Sequence, residues 1–257
     1  MMNVELLPEH PDPVAVRRTV DTLIPLLKRG MDIIIARFAS DPKYQWIDTK
    51  FNCATGEDFP NDDPIRGKSI VYSWIQGRGL ESVAKHLRFF GALAKDKMLS
   101  EVDGRFFEGC RRILFHVSGR VLEAKRKGKG HVYFALTPEG VPLELRKEGV
   151  FQPKKTLSDC FTLSDIFCSR GLLSSAIVLN DSFLLDESIT YCMDLCEAVW
   201  DGRYRSDQEQ FDAKNPVKPV SGRNSHAPYM LQIPTMELLA LRHVEGALEA
   251  SFKIIEH

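Results

Sequence analysis

The sequence predicts an all-α protein, an α/α toroid in which successive antiparallel helix pairs surround a central cavity, with one inserted β-hairpin. Three observations carry this reading. Apolar residues recur at helical spacing in six or more segments. The connections between those segments alternate short and long, which suits stacked helix pairs. Two short apolar runs around a turn occur in one stretch only, so a sheet of four or more strands would contradict the expectation.

The elements follow in chain order. A first helix is expected over residues 13–38. Asp12 can cap it and Pro13 suits its first position. Val16, Val20, Leu23, Ile24 and Leu27 form its apolar stripe, and Pro25 and Gly30 are expected to kink or interrupt it. Residues 40–67 are rich in proline, Asp and Asn and read as a long, lid-like loop. Helices are expected over 69–93 and 99–127, the latter with Phe106, Cys110, Ile113, Leu114 and Val117 on one broad face. Residues 131–146 read as the hairpin, turning at Thr137-Pro138-Glu139-Gly140. Further helices are expected over 159–179 (capped by Ser158-Asp159), 183–200, 227–243 and 246–255, with a polar loop over 201–224. Residues 1–257 are read as a single domain.

Composition narrows the function. Hydrophobic residues make up 44% and charged residues 27%, the balance of a globular protein with a core. The formal net charge of -1 offers no electrostatic case for a nucleic-acid or membrane partner. The basic run Lys125-Arg126-Lys127-Gly128-Lys129 suits the C-terminal end of a helix. The six cysteines form no CxxC pair, so they read as reduced, mostly buried thiols of a cytoplasmic protein. No metal and no cofactor are expected. Asp62-Asp63 precedes Pro64 in a loop and reads as a solvated turn.

The most informative string is Tyr72-Ser73-Trp74-Ile75-Gln76-Gly77-Arg78 at the head of the second helix. It sets two aromatics, an amide and a guanidinium within two helical turns. Such a set can stack on the apolar face of a sugar and hold its oxygens through a planar fork of donors. An ordinary amphipathic helix with core aromatics is the plainer alternative.

With these residues in view, the chain resembles the N-acylglucosamine 2-epimerase family. Tyr72, Trp74, Gln76, Gly77 and Arg78 match its aromatic string. Phe134, Thr137, Gly140 and Pro142 match its hairpin, and Ser158, Asp159 and Phe161 match the opening of its next inner helix. Order and spacing agree over about residues 15–245. The resemblance implies an (α/α)6 barrel and epimerase or isomerase chemistry on a small-molecule sugar. Histidines would move a proton at the carbon beside a carbonyl, and Arg78 would hold substrate oxygens. Tyr72, Trp74, Gln76 and Asp159 join Arg78 as candidate substrate-binding residues, with an N-cap as the alternative role for Asp159.

The chain also departs from the family. The Pro-Gly-His and Trp-x-x-His motifs that carry the family's main catalytic histidines have no counterpart here. The match covers the first half to two-thirds of the family, roughly four of its six helix pairs. A homo-oligomer or a missing C-terminal segment would complete such a ring, and apolar edge residues near Leu231, Leu238 and Leu241 are expected to lie unburied. Among the seven histidines, His226 is the candidate catalytic residue, at the entry to a helix after a long loop. His86, two turns past Arg78, is the other candidate for the cavity, with a structural role as its alternative. A non-catalytic carbohydrate- or protein-binding module on the same fold is the rival reading.

Overall fold

The computed structural model describes residues 12–95, 104–146, 149–205 and 226–256. Within them are seven helices: α1 Pro13–Ser40, α2 Ser73–Lys95, α3 Gly104–Lys127, α4 Leu163–Leu179, α5 Ser182–Trp200, α6 Ala227–Ala240 and α7 Ala247–Glu256. The expected helix start over 99–103 and the loop beyond residue 205 fall outside the described residues. The molecule is mainly helical, and no described helix is long and apolar enough to cross a membrane.

The single-hairpin expectation is corrected. Four short strands, β1 Val71–Tyr72, β2 Ala135–Leu136, β3 Pro142–Leu145 and β4 Phe151–Pro153, form one antiparallel sheet in the order β1-β2-β3-β4. Its register pairs Tyr72 with Ala135, Ala135 with Leu143 and Leu143 with Pro153. The expected turn between β2 and β3 is present. Thr137 N donates to the Val141 carbonyl at 2.9 Å, and Gly140 takes the left-handed φ of 81° that the turn needs. β1 and β4 have only two and three residues, too few for alternation to be legible in sequence.

α4 packs against α2, α3, α5 and α6, while α1 packs on α3 and α7 on α5 and α6. α2 and α4 start on the same rim, because both are fastened to the buried segment 131–136. Ser73 Oγ donates to the Tyr133 carbonyl at 2.6 Å, and Val132 N donates to the Asp165 carboxylate at 2.8 Å. α3 ends at that rim and therefore runs back against both. The main core draws on α1 to α5, with Phe90, Ile113, Leu114, Leu172 and Leu195 fully enclosed.

Local sequence explains the boundaries. Asp12 caps α1 by accepting from Ala15 N at 2.7 Å, as expected. Contrary to expectation, α1 runs unbroken through Pro25 and Gly30. Pro25 lies on the exposed side, so the Asp21 carbonyl it cannot pair is also on that side and open to water. The head of α4 is also corrected. It is capped by Thr162 with Asp165 in a reciprocal capping box, four residues after Ser158-Asp159. α4 has no polar face, and its buried residues occupy every side.

Candidate functional site

The predicted string straddles β1 and the first turns of α2, and its members divide by what their polar atoms already do. The Tyr72 ring is buried in the sheet's own small cluster, and its hydroxyl donates to the Ile65 carbonyl at 2.9 Å. Burial raises its pKa above the ordinary tyrosine value. Gln76 is buried and clamps the backbone of Ile47 in both directions. Its Oε1 accepts from Ile47 N at 2.8 Å and its Nε2 donates to Ile47 O at 3.0 Å. The polar atoms of Tyr72 and Gln76, both expected as sugar contacts, are thus already engaged by the chain's own backbone. Gly77 also has a packing role. A side chain there would meet the backbone of Phe167 at 2.4 Å, and one at Gly171 would meet the Gly77 carbonyl at 2.4 Å. The two glycines let α2 and α4 cross in backbone contact.

Trp74 and Arg78 remain open. Arg78 is exposed, with its guanidinium carbon 5.9 Å from the Trp74 ring and 5.7 Å from the Phe167 ring. Trp74 and Phe167 are half-buried and lie 6.1 Å apart. The indole N–H of Trp74 is buried without a hydrogen-bond partner among the described residues. Arg78 makes no ion pair among those residues either. An arginine held over two aromatic rings keeps its donors directed outward while its flat faces are covered.

Behind this patch sits a buried ion pair that sequence reading did not single out. Arg170 Nε meets Glu81 Oε2 at 2.8 Å, with side chains 7% and 13% exposed. Arg170 also donates to the Leu231 carbonyl at 2.9 Å, tying α4 to α6, and its guanidinium carbon lies 5.5 Å from the centre of the Phe167 ring. Phe167, on α4, thus has two guanidinium groups within 6 Å of its ring. Its sequence signal was the apolar character of α4 on every side, which marks a helix that others surround.

The remaining predicted residues lie apart from one another. Asp159 is not at a helix start. Its side chain is fully exposed in the segment before α4 and approaches His131 Nε2 at 3.6 Å. The Thr162–Asp165 box displaced it as the cap. His226 stands exposed at the N-cap position of α6 and makes no side-chain cap hydrogen bond. His86 directs Nδ1 to its own Ser82 carbonyl at 2.8 Å and stacks on Phe90. It is committed to its helix. Two clefts, of about 280 and 320 Å³, lie between α3 and the head of α5 and between α1 and α3. None of the predicted site residues lines either, so the expected border on a central cavity is not met there.

The loop read as a lid is fastened to the rest of the fold. Trp46 is fully buried and donates to the Pro138 carbonyl at 2.8 Å. Arg37 pairs with Asp48 at 2.7 Å and Asp58 at 2.6 Å. Lys50 donates to the Gly67 carbonyl at 2.7 Å and to the Ile70 carbonyl. Burial lowers its pKa to about 8 against the opposing pull of Asp48 and Asp63. Asp63 lies in the expected turn, but its side chain is only 13% exposed and binds Ile65 and Arg66 rather than water. The N–H groups of Arg66 and Ile65 hold its carboxylate down at about 2.

Four of the six cysteines are buried, and all six are free thiols. Burial pushes Cys110, Cys192 and Cys196 up to about 12, which leaves them protonated and poor nucleophiles. The chain matches no protein-family model and no curated protein.

Proposed function

We propose that this chain binds a small sugar on the patch formed by Trp74, Arg78 and Phe167, as part of an α/α toroid of the N-acylglucosamine 2-epimerase type. One observation carries the reading: an exposed guanidinium held over two half-buried rings, with no carboxylate of the described chain to neutralise it. Aromatic faces suit the apolar face of a pyranose, and the free donor fork suits its hydroxyl or acyl oxygens. The order of the aromatic string, the turn and the next inner helix supports the same family reading.

The histidines favour binding over turnover in residues 1–257. Proton abstraction needs a base within hydrogen-bond reach of the substrate, oriented by a partner. His86 is tied to Ser82, and His226 makes no side-chain cap hydrogen bond among the described residues. The rival, epimerisation, would use His226 as its base.

Calorimetry with N-acetylmannosamine, mannose and cellobiose tests the proposal. Arg78→Lys should weaken the sugar that binds by at least about tenfold, about 1.4 kcal/mol, because a point-like ammonium cannot reproduce the fork. An affinity unchanged by that substitution, or no binding of any of the three, would reject the assignment. Incubating the bound sugar in deuterated water separates the two readings. Deuterium entering beside the carbonyl, and lost in His226→Ala, would establish the epimerase.

A further inference from the structure

The patch of Trp74, Arg78 and Phe167 carries a charge imbalance that its two helices do not cancel. Trp74, Arg78, Glu81 and Lys85 follow one another on α2 at spacings of four, three and four, which sets them along one stripe. Phe167 and Arg170 meet that stripe from α4. Glu81 is the one acidic residue of α2, and both of its oxygens are taken. Arg170 Nε donates to Oε2 at 2.8 Å and Lys85 Nζ to Oε1 at 2.7 Å. The one acidic residue of α4, Asp165, is fully buried and accepts from Val132, Thr162 and Tyr191. Arg78, Lys85 and Arg170 therefore stand against a single carboxylate, and Arg78 is the cation with no ion pair among the described residues.

This imbalance bears on the ligand. A hydroxyl oxygen can accept from a guanidinium. A carboxylate or phosphate oxygen does so through charge-assisted bonds about twice as strong, and its paired oxygens match the planar fork. Trp74 and Phe167 cover the flat faces of the Arg78 guanidinium, so its outward donors meet an anion with less competing water than those of a fully solvated arginine.

We infer that the ligand of this patch is an acidic sugar, its ring against Trp74 and Phe167 and its carboxylate or phosphate paired to Arg78. The inference rests on the sugar-binding reading above and adds the charge class of the ligand. Lys85, two turns along the stripe, contributes to the positive potential without touching the ligand. A neutral sugar would leave that potential unmatched.

Calorimetry on the full 257-residue chain compares mannose with mannuronate and with mannose 6-phosphate. At low ionic strength at least one acidic sugar should bind about fivefold or more tightly than mannose. The tighter of the two identifies the anionic group as carboxylate or phosphate. The preference should fall away at about 1 M salt, where screening acts within about 3 Å. Arg78→Gln keeps an amide donor and removes the charge. It should bring acidic and neutral sugars to the same affinity, with helical circular dichroism retained. Lys85→Gln should reduce the preference by less. Mannose bound as tightly as both acidic sugars would overturn the inference and leave the sugar-binding reading in place. A preference that survives Arg78→Gln would also overturn it, because the anion would then be held elsewhere. Failure of all three ligands to bind would overturn it as well, and N-acetylmannosamine and cellobiose then decide whether the sugar-binding reading falls with it.

Discussion

Asp165→Ala is expected to destabilise the protein by about 3–5 kcal/mol, enough to threaten folding at physiological temperature. Asp165 is completely buried and accepts from Val132 N at 2.8 Å, from Thr162 N at 2.7 Å, from Thr162 Oγ1 at 3.0 Å and from the Tyr191 hydroxyl. One side chain thus joins the head of α4, the segment 131–136 and α5. Truncation strands four buried donors and removes the capping box together. Urea unfolding measures the loss. A change below about 1 kcal/mol would mean that water or a repacked neighbour satisfies those donors.

The same carboxyl gives stability a pH dependence of definite sign. Burial raises its pKa to about 6, against the pull of the Tyr191 and Val132 hydrogen bonds. The unfolded chain titrates near the ordinary value of about 3.9. Between these values the folded state holds more proton than the unfolded one, so stability falls as pH rises from about 4 to about 6. The contribution is on the order of 2–3 kcal/mol and should be absent from that window in Asp165→Asn.

Gly171→Ala and Gly77→Ala should each cost at least about 3 kcal/mol, beyond the usual penalty for one methyl in a core. The added carbon would lie 2.4 Å from backbone atoms of the facing helix, and a backbone carbonyl cannot rotate aside. α2 and α4 would have to separate along the most extensive helix contact in the molecule. The double variant should cost less than the two single costs added, because either methyl alone already opens the crossing. Thermal unfolding of the three variants checks both statements. Strict additivity would show that the glycines act independently.

How much could be read beforehand depended on whether a signal was local. Helical periodicity located all seven helices, since each has its own apolar stripe or caps. The cap at Asp12 and the turn at Gly140 are likewise written within four residues. Asp159 was misplaced because Ser158-Asp159 and Thr162–Asp165 are both acceptable caps by residue type. The choice fell to Asp165, whose carboxylate also receives Val132 N from 33 residues away. β1 and β4 were missed for a similar reason. Each is defined by its partner strand rather than by its own alternation. Within the candidate site, the string at 72–78 was visible but its division of labour was not. Residue type cannot tell that the Gln76 amide is bound to Ile47 while the Arg78 fork has no ion pair among the described residues. Phe167 and Arg170 reach the patch only through the glycine crossing.

The clamp between Gln76 and Ile47 changes how residues outside regular structure move. A side-chain amide here occupies the place of a neighbouring strand, meeting both the N–H and the C=O of one peptide residue. The Ile47 amide hydrogen should therefore exchange with solvent at the rate set by opening of α2, and not at the rate of local loop fraying. By that measure the connection between α1 and β1 belongs to the same cooperative unit as the helix it borders, although it has neither helix nor ladder of its own.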